Sequence, residues 1–171
     1  MALAESRTAR APRRVSVLGS TGSVGCNTLD LIERNSNDFQ VVALTANRNV
    51  DALVAQAMKF RPKVVAIADP ACYRPLKDAL SNTGIEVAAG AQSLVDVATR
   101  PADWVMAAIV GAAGLAPTIA AAQQGAILAV ANKECFVTAG DLFLKEVTRH
   151  GATVLPVDSE HNAIFQVFDF N

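Results

Sequence analysis

The chain has 171 residues, of which 51% are hydrophobic, and its 15 Lys and Arg against 16 Asp and Glu give a net charge of -1. This length accommodates one ordinary domain with a hydrophobic core, which excludes global disorder. The balanced charge lacks the basic excess that binding to a phosphate backbone requires, so nucleic acid is not an expected partner.

The three cysteines, Cys26, Cys72 and Cys135, are far apart and form no Cys-x-x-Cys motif. Such a set favours a reducing cytoplasm over a disulfide framework or a zinc site. We therefore expect a cytoplasmic protein whose cysteines serve as packing residues.

Residues 1–12 contain arginines but no apolar segment of a signal peptide. We expect a disordered extension there, although an Arg- and Ser-rich start can resemble an organellar transit peptide.

Short β-branched runs alternate with longer helical patterns, which is typical of βαβ units around a parallel sheet. The predicted strands are Arg14–Leu18, Gln40–Thr45, Val64–Ala68, Glu86–Ala88, Trp104–Ile109, Ile127–Ala131 and Thr153–Leu155. The predicted helices are Val24–Glu33, Asn49–Phe60, Pro70–Ser81, Gln92–Arg100, Pro117–Gln124 and Phe136–His150. The expected fold class is α/β, with a doubly wound, mostly parallel, Rossmann-like sheet of about seven strands. Such sheets bind ligands at the carboxyl ends of their strands.

The stretch from Trp104 to Asn132 contains no charged residue and is long enough to span a bilayer. It is rich in alanine and is interrupted by three glycines and by Pro117. We therefore predict two buried strands flanking a glycine turn and a helix, and no membrane association.

The loop after the first predicted strand carries Gly19, Gly22 and Gly25 directly before a helix. Glycines there permit a tight turn, let the backbone approach a pyrophosphate, and let the helix pack closely on the strand. The helix N-terminus supplies free N–H groups and a positive dipole, to which Thr21 and Ser23 add hydroxyls. The loop predicts a dinucleotide phosphate site; the alternative is a turn that only joins the strand to the helix.

A basic side chain follows the second predicted strand, where NAD-specific sites carry an acidic one. The sequence there is Asn47-Arg48-Asn49, and a guanidinium matches the 2′-phosphate of NADPH. NADPH is therefore the expected cofactor. The alternative is that Arg48 is a solvated loop residue.

Asn132, Lys133 and Glu134 follow the sixth predicted strand, at the same edge of the sheet. A lysine there could bind a substrate phosphate or an oxyanion, while its amide and carboxylate neighbours could hold hydroxyls or the nicotinamide. The alternative is the charged first turn of a helix.

The last predicted strand leads into Asp158-Ser159-Glu160-His161-Asn162. From a loop, Asp158 and Glu160 could converge on one hard cation such as Mg²⁺ or Mn²⁺, which would polarise a carbonyl or alkoxide. The alternative is an acidic N-cap of a helix that begins near Asn162. His161 is as consistent with packing as with metal ligation.

Four strings together resemble the 1-deoxy-D-xylulose 5-phosphate reductoisomerase family: Gly19–Gly25, Ala107–Leu115, Ala131–Glu134 and Pro156–Gln166. The resemblance extends roughly from Arg13 to Phe168, and the last string is the most specific. Members of that family are homodimers that use NADPH and a divalent metal, Mg²⁺, Mn²⁺ or Co²⁺. They convert the sugar phosphate 1-deoxy-D-xylulose 5-phosphate to 2-C-methyl-D-erythritol 4-phosphate in the non-mevalonate isoprenoid pathway. The resemblance implies the same activity and a homodimer here.

The resemblance also implies individual roles for cofactor, substrate and metal residues. The NADPH pyrophosphate region would be contacted by Thr21, Gly22, Ser23 and Val24, and its adenosine 2′-phosphate end by Asn47, Arg48 and Asn49. Other parts of NADPH would be contacted by Asn132 and Glu134. Lys133 would bind substrate and act in catalysis, and Ser159 would bind substrate. Asp158 would bind the metal, and Glu160 would bind both metal and substrate and act in catalysis. Many relatives have lysine where this chain has Arg48, a change that keeps the charge and alters its geometry.

Members of this family are well over twice as long, and the part that follows supplies a further metal-binding glutamate and the substrate-phosphate site. We therefore expect a cofactor domain at residues 13–155 and the start of a catalytic, metal-binding region at 156–171. Such a segment is expected to be inactive alone.

Two other functions fit the sequence. One is another NADPH-dependent reductase, such as a semialdehyde dehydrogenase, which would need a nucleophilic cysteine; Cys135 lies near a strand end but lacks an evident activating partner. The other is a noncatalytic NADPH-binding domain on the same fold.

Overall fold

The computed structural model describes residues 11–131 and 133–157, which form a seven-stranded, all-parallel sheet between two layers of helices. The strands are β1 (Arg13–Leu18), β2 (Phe39–Ala46), β3 (Val64–Ile67), β4 (Glu86–Ala89), β5 (Trp104–Ala107), β6 (Ile127–Val130) and β7 (Thr153–Pro156). The helices are α1 (Ser23–Arg34), α2 (Val50–Phe60), α3 (Tyr73–Ala79), α4 (Ala91–Ala98), α5 (Leu115–Ala122) and α6 (Glu134–His150). Single 3₁₀ turns lie at Pro70–Cys72 and Ala112–Gly114. The predicted fold class is confirmed.

The strand order is β4-β3-β2-β1-β5-β6-β7. The chain adds β2, β3 and β4 outward on one side of β1, then returns to place β5 on the other side. Connections on the two sides of β1 therefore leave the sheet in opposite directions, which creates a crevice at the carboxyl ends of the central strands. The loops after β1, β2 and β5 meet at this crevice.

The central strands are buried on both faces, as their continuous apolar sequences predict. All four residues of β3, from Val64 to Ile67, are at most 1% exposed. Apolar residues of α1, α2 and α3 pack on one face of the sheet. Those of α4, α5 and α6 pack on the other face. The two layers hold the strand ends in fixed positions, so that the loops between them share a rigid base.

The predicted elements are all present, with differences at their ends. Helix α5 begins at Leu115 rather than Pro117, because proline is accommodated in the first turn of a helix, where its missing N–H is not needed. Helix α6 begins at Glu134, before the predicted Phe136, and β5 ends at Ala107, before the predicted Ile109. The predicted helix Pro70–Ser81 is divided between a 3₁₀ turn and α3.

The charge-free stretch after Trp104 forms β5, a glycine turn, α5 and β6, as predicted. No helix in the two described stretches is long and apolar enough to cross a membrane. The predicted division into residues 13–155 and 156–171 stays a prediction, because residues 158–171 lie outside the described part. Most of the predicted extension, residues 1–12, also lies outside it.

Candidate functional site

The loop after β1 depends on close backbone approach. A Cβ atom at Gly25 would overlap the carbonyl oxygen of Gly19, so helix α1 could not pack against this loop with a larger residue there. Gly19 itself has a φ of +83°, and a Cβ there would lie 2.6 Å from the carbonyl oxygen of Ala108. Both positions require glycine, which confirms the predicted turn and close packing.

The first turn of α1 is open to an anion. The helix begins at Ser23 after an extended Gly22, with no capping side chain and no acidic residue in the first turn. The backbone N–H groups of Ser23 and Val24 have no hydrogen-bond partner among the described residues. Unpaired amides at the positive end of a helix dipole attract negative charge. Thr21, which precedes Gly22, adds a half-buried hydroxyl.

The loop is also fixed from β2 and α2, by residues that sequence analysis missed. The Thr45 hydroxyl accepts a hydrogen bond from the Gly19 N–H at 2.9 Å, and the Thr45 carbonyl accepts one from the Ser20 N–H at 2.8 Å. The amide side chain of Gln56 bonds to Ser20 as well. Ser20 and Thr45 are completely buried, so their side chains are not available to a ligand. Their hydrogen bonds instead set the shape of the loop.

Arg48 lies in the exposed loop after β2 and is ion-paired. Its Nε is 2.8 Å from Oδ2 of Asp69, which follows β3; the Arg48 side chain is 77% exposed, whereas that of Asp69 is 21% exposed. The interpretation of Arg48 as simply solvated is therefore incomplete. Its neighbour Asn49 caps α2, because its Oδ1 accepts a hydrogen bond from the Ala52 N–H at 3.1 Å.

These loops border one cleft of about 480 Å³, a volume in the range of small-molecule sites. Its lining contains five of the predicted cofactor residues: Thr21, Gly22, Asn47, Arg48 and Asn49. Predicted cofactor residues Ser23 and Val24 lie at the adjoining start of α1. Apolar residues complete the lining, among them Leu94, Ile109 and Val110. The cleft therefore combines an uncapped helix N-terminus and a basic side chain with apolar walls.

The remaining predicted site residues are only partly described. Lys133 is exposed and Glu134 is half-buried, and the Lys133 carbonyl accepts hydrogen bonds from Phe136 and Val137 as α6 begins. Both thus lie at the carboxyl end of β6, as predicted, although the described lining of the cleft does not include them. Their roles remain predictions. Asn132, Asp158, Ser159, Glu160 and His161 lie outside the described residues.

No metal-binding group was found in residues 11–131 and 133–157, where no three His, Cys, Asp or Glu side chains are suitably placed. The predicted metal ligands, Asp158 and Glu160, are outside these ranges. The metal site therefore stays a prediction.

The cysteines differ in their environments. Cys135 is completely buried, and burial raises the pKa of its thiol. A nucleophilic cysteine instead needs an accessible thiolate, which disfavours Cys135 in that role. Cys26 is exposed, so the expectation that all three cysteines are packing residues is wrong for Cys26.

Comparison with known proteins identifies the family. The family model for 1-deoxy-D-xylulose 5-phosphate reductoisomerase matches residues 15–140. The chain belongs to this family. The 1-deoxy-D-xylulose 5-phosphate reductoisomerase of Rhodospirillum centenum is 65% identical over 157 residues, which make up 92% of this chain and 39% of that protein. The chain thus spans about two-fifths of the length of this reductoisomerase.

Solved structures of the same family have the same fold. The reductoisomerase from Zymomonas mobilis in complex with NADPH is 56% identical, with a TM-score of 0.91 over 93% of this chain and 42% of that chain. A reductoisomerase in complex with NADPH, fosmidomycin and magnesium is 42% identical, with a TM-score of 0.88 over 92% of this chain and 39% of that one. These similarities support the resemblance derived from the four sequence strings.

Proposed function

We propose that this chain is the NADPH-binding part of an NADP-dependent oxidoreductase, 1-deoxy-D-xylulose 5-phosphate reductoisomerase. The reaction isomerises and reduces 1-deoxy-D-xylulose 5-phosphate to 2-C-methyl-D-erythritol 4-phosphate in non-mevalonate isoprenoid biosynthesis. The observation that carries the proposal is the cleft in which the α1 N-terminus and Arg48 border the same space. Family membership and the NADPH complex of the relative from Zymomonas mobilis support it.

The described residues fit NADPH. Glycine at 19 and 25 lets the loop and helix α1 pack directly against neighbouring backbone, which sets the position of the α1 N-terminus at the cleft. The amides of Ser23 and Val24, with the hydroxyl of Thr21, supply hydrogen-bond donors for a pyrophosphate. At the other side of the cleft, Arg48 and its asparagine neighbours would hold the adenosine 2′-phosphate. Bound NADPH supplies the hydride, and these residues orient it.

The substrate and metal roles rest on the family resemblance. We propose that Lys133 and Ser159 bind the sugar phosphate and that Asp158 and Glu160 hold Mg²⁺, Mn²⁺ or Co²⁺, with Asn132 and Glu134 on the NADPH side. Such an ion supplies Lewis-acid polarisation of substrate oxygens. Lys133 and Glu160 are the proposed catalytic residues. The magnesium complexes of two solved relatives support a divalent metal.

We further propose that the protein acts in the cytoplasm as a homodimer. The dispersed cysteines support a reducing compartment, and the family resemblance supports the dimer. Light scattering of the complete gene product would give its mass in solution. A monomeric mass at micromolar concentration would contradict the dimer.

The activity is tested by following NADPH oxidation when the complete gene product receives 1-deoxy-D-xylulose 5-phosphate and Mn²⁺. We expect turnover that a chelator abolishes and added metal restores. Asp158→Ala and Glu160→Ala should each nearly eliminate it. A noncatalytic NADPH-binding domain would instead leave every activity unchanged in these variants. Absence of turnover in a protein that binds NADPH would contradict the reductoisomerase assignment.

Nucleotide selectivity tests the cleft separately. Arg48→Ala should weaken NADPH binding roughly tenfold or more, since hydrogen bonds to charged groups contribute about 1.5–3 kcal/mol, and should change NADH binding little. Arg74→Ala is the matched control, because Arg74 also forms an exposed ion pair, at 3.2 Å with Asp78 on α3. Equal losses for both nucleotides would contradict a 2′-phosphate role for Arg48.

A further inference from the structure

The carboxylate of Asp69 holds the guanidinium of Arg48 by one edge. The contact is between Asp69 Oδ2 and Arg48 Nε, at 2.8 Å. A guanidinium is planar and carries further N–H donors on its two terminal nitrogens. Among the described residues, Asp69 alone forms an ion pair with the Arg48 side chain. Arg48 therefore lies at the cleft with its orientation restrained and its terminal donors available.

Asp69 is itself well anchored. Its Oδ1 accepts a hydrogen bond from the Ala71 N–H at 2.9 Å, capping the 3₁₀ turn after β3. Its backbone N–H donates to the carbonyl of Asn47 at 3.1 Å. The side chain is 21% exposed, much less than that of Arg48. The loop after β3 thus provides a fixed acceptor for an otherwise flexible arginine in the loop after β2.

This arrangement has a consequence for selectivity. An exposed arginine samples many rotamers, and binding must immobilise it. Asp69 restrains Arg48 before the ligand arrives, so less conformational freedom is lost when a phosphate engages the terminal nitrogens. The Asp69 carboxylate also repels a phosphate dianion, and this repulsion opposes the gain in NADPH affinity from restraining Arg48. Because the contact with Asp69 is made at Nε, terminal N–H donors on the other side of the guanidinium remain for a phosphate.

We propose that Asp69 is a positioning residue for cofactor selectivity, which presents Arg48 to the 2′-phosphate of NADPH; this inference rests on the proposed function. Asp69 acts through Arg48 and does not contact the cofactor. Removing the Asp69 acceptor should therefore weaken NADPH binding and leave NADH binding unchanged. The effect should disappear when Arg48 is absent.

The test measures dissociation constants of NADPH and NADH by fluorescence titration of the complete gene product. Asp69→Ala should reduce the preference for NADPH about fivefold. Asp69→Asn keeps one oxygen acceptor, which can serve either Arg48 or the Ala71 N–H in place of the two carboxylate oxygens, and should lose less of that preference than Asp69→Ala. Asp78→Ala, which removes the exposed ion pair of Arg74, should have no effect. In an Arg48→Ala background, adding Asp69→Ala should change neither constant.

Several outcomes would overturn the inference. NADPH binding by Asp69→Ala that equals or exceeds that of the wild type would show that repulsion cancels or outweighs positioning. A greater loss in Asp69→Asn than in Asp69→Ala would exclude positioning through an acceptor oxygen. A loss that persists without Arg48 would show that Asp69 acts only by capping the turn. A wild-type protein with no preference for NADPH would contradict the proposed function and this inference together. A selective wild type and an impaired Arg48→Ala, with an unaffected Asp69→Ala, would sink only the inference.

Discussion

The amide side chain of Gln56 makes two hydrogen bonds to Ser20: its Oε1 accepts from the Ser20 hydroxyl at 2.7 Å, and its Nε2 donates to the Ser20 carbonyl at 2.9 Å. Gln56 belongs to α2, whereas Ser20 is buried within the loop between β1 and α1. The two bonds use both functions of the amide, so they fix the orientation of the Ser20 peptide. Helix α2 thereby restrains the loop after β1 without lining the cleft.

Replacement of Gln56 by leucine should weaken NADPH and NADH binding alike, because both nucleotides share the pyrophosphate that the loop would hold. A net loss of about 1 kcal/mol corresponds to roughly fivefold in affinity. The measurement is the same titration with both nucleotides. Gln123→Leu is the control, since exposed Gln123 bonds to Glu146 at 2.8 Å, away from the cleft. A loss of affinity for NADPH alone would contradict this expectation, because it would show that Gln56 acts through Arg48 and not through the loop after β1.

Alanine at Gly25 should destabilise the protein and abolish nucleotide binding. Its Cβ would meet backbone atoms of Gly19 and Ser20, which cannot rotate away as a side chain can. Such overpacking costs about 1–3 kcal/mol or more, measurable as a lower midpoint in urea. Gly140→Ala is the matched control within α6, because a Cβ there meets nothing within 4 Å. Equal midpoints for the two variants would be incompatible with the close approach described here.

The ion pair of Arg14 with Asp103 should make stability depend on acid pH. Arg14 donates to Asp103 Oδ1 at 2.7 Å through its side chain and to Oδ2 at 2.8 Å through its backbone N–H. Hydrogen bonding to Arg14 lowers the pKa of Asp103 below its ordinary value. A lowered folded-state pKa contributes stability above the unfolded-state pKa, and this stability is lost as pH falls through the lower folded-state value.

Asp103→Asn should therefore melt about 2 °C below the wild type at neutral pH, a small effect because both side chains are substantially exposed. The difference should shrink below about pH 4, as the wild-type carboxylate becomes protonated. Melting curves at several pH values provide the measurement. A constant difference across this range would exclude the ion pair as its cause.

Alkylation should distinguish the cysteines and test the rival reductase. Cys26 is exposed, while Cys135 is buried and the pKa of its thiol is raised. Iodoacetamide at mildly alkaline pH should label Cys26 in the native protein and reach Cys135 only after denaturation, as mass spectrometry would show. Rapid native labelling of Cys135 with loss of NADPH-dependent turnover would favour a semialdehyde dehydrogenase mechanism.

The fold was largely predictable because its signals are local and periodic. The buried strands are continuous apolar runs, such as Val64–Ile67, and glycines or caps separate them from the helices. The turn after β1 was also predictable from its glycine spacing. The need for glycine at Gly25 is local, because a Cβ there would meet Gly19 and Ser20, whereas the need at Gly19 comes from Ala108, which is distant in sequence. The location of Arg48 at the cleft also follows from its position just after β2, because the cleft lies at the carboxyl ends of the central strands.

The supporting residues were not predictable because their partners come from elements distant in sequence. Thr45 contacts Gly19 across 26 positions, and Gln56 contacts Ser20 across 36. Asp69 pairs with Arg48 only because β2 and β3 are neighbours in register, with Ala46 opposite Ile67. The position of Asp69 shortly after β3 gave a weak hint, but sequence spacing alone does not identify its partner. A parallel sheet determines them once its strand order is known.

The central position of β1 also governs the order in which the molecule can assemble. Its pairing with β2 joins neighbouring segments, whereas its pairing with β5 joins Val15 to Trp104 across a long intervening chain. During synthesis, one edge of β1 must wait for β5 to emerge, and contacts of such long range slow folding. The wall of the cleft that contains Ile109 and Val110 follows β5. A ligand that binds only the folded state stabilises it, so NADPH bound in this cleft should favour chains in which β5 has paired with β1.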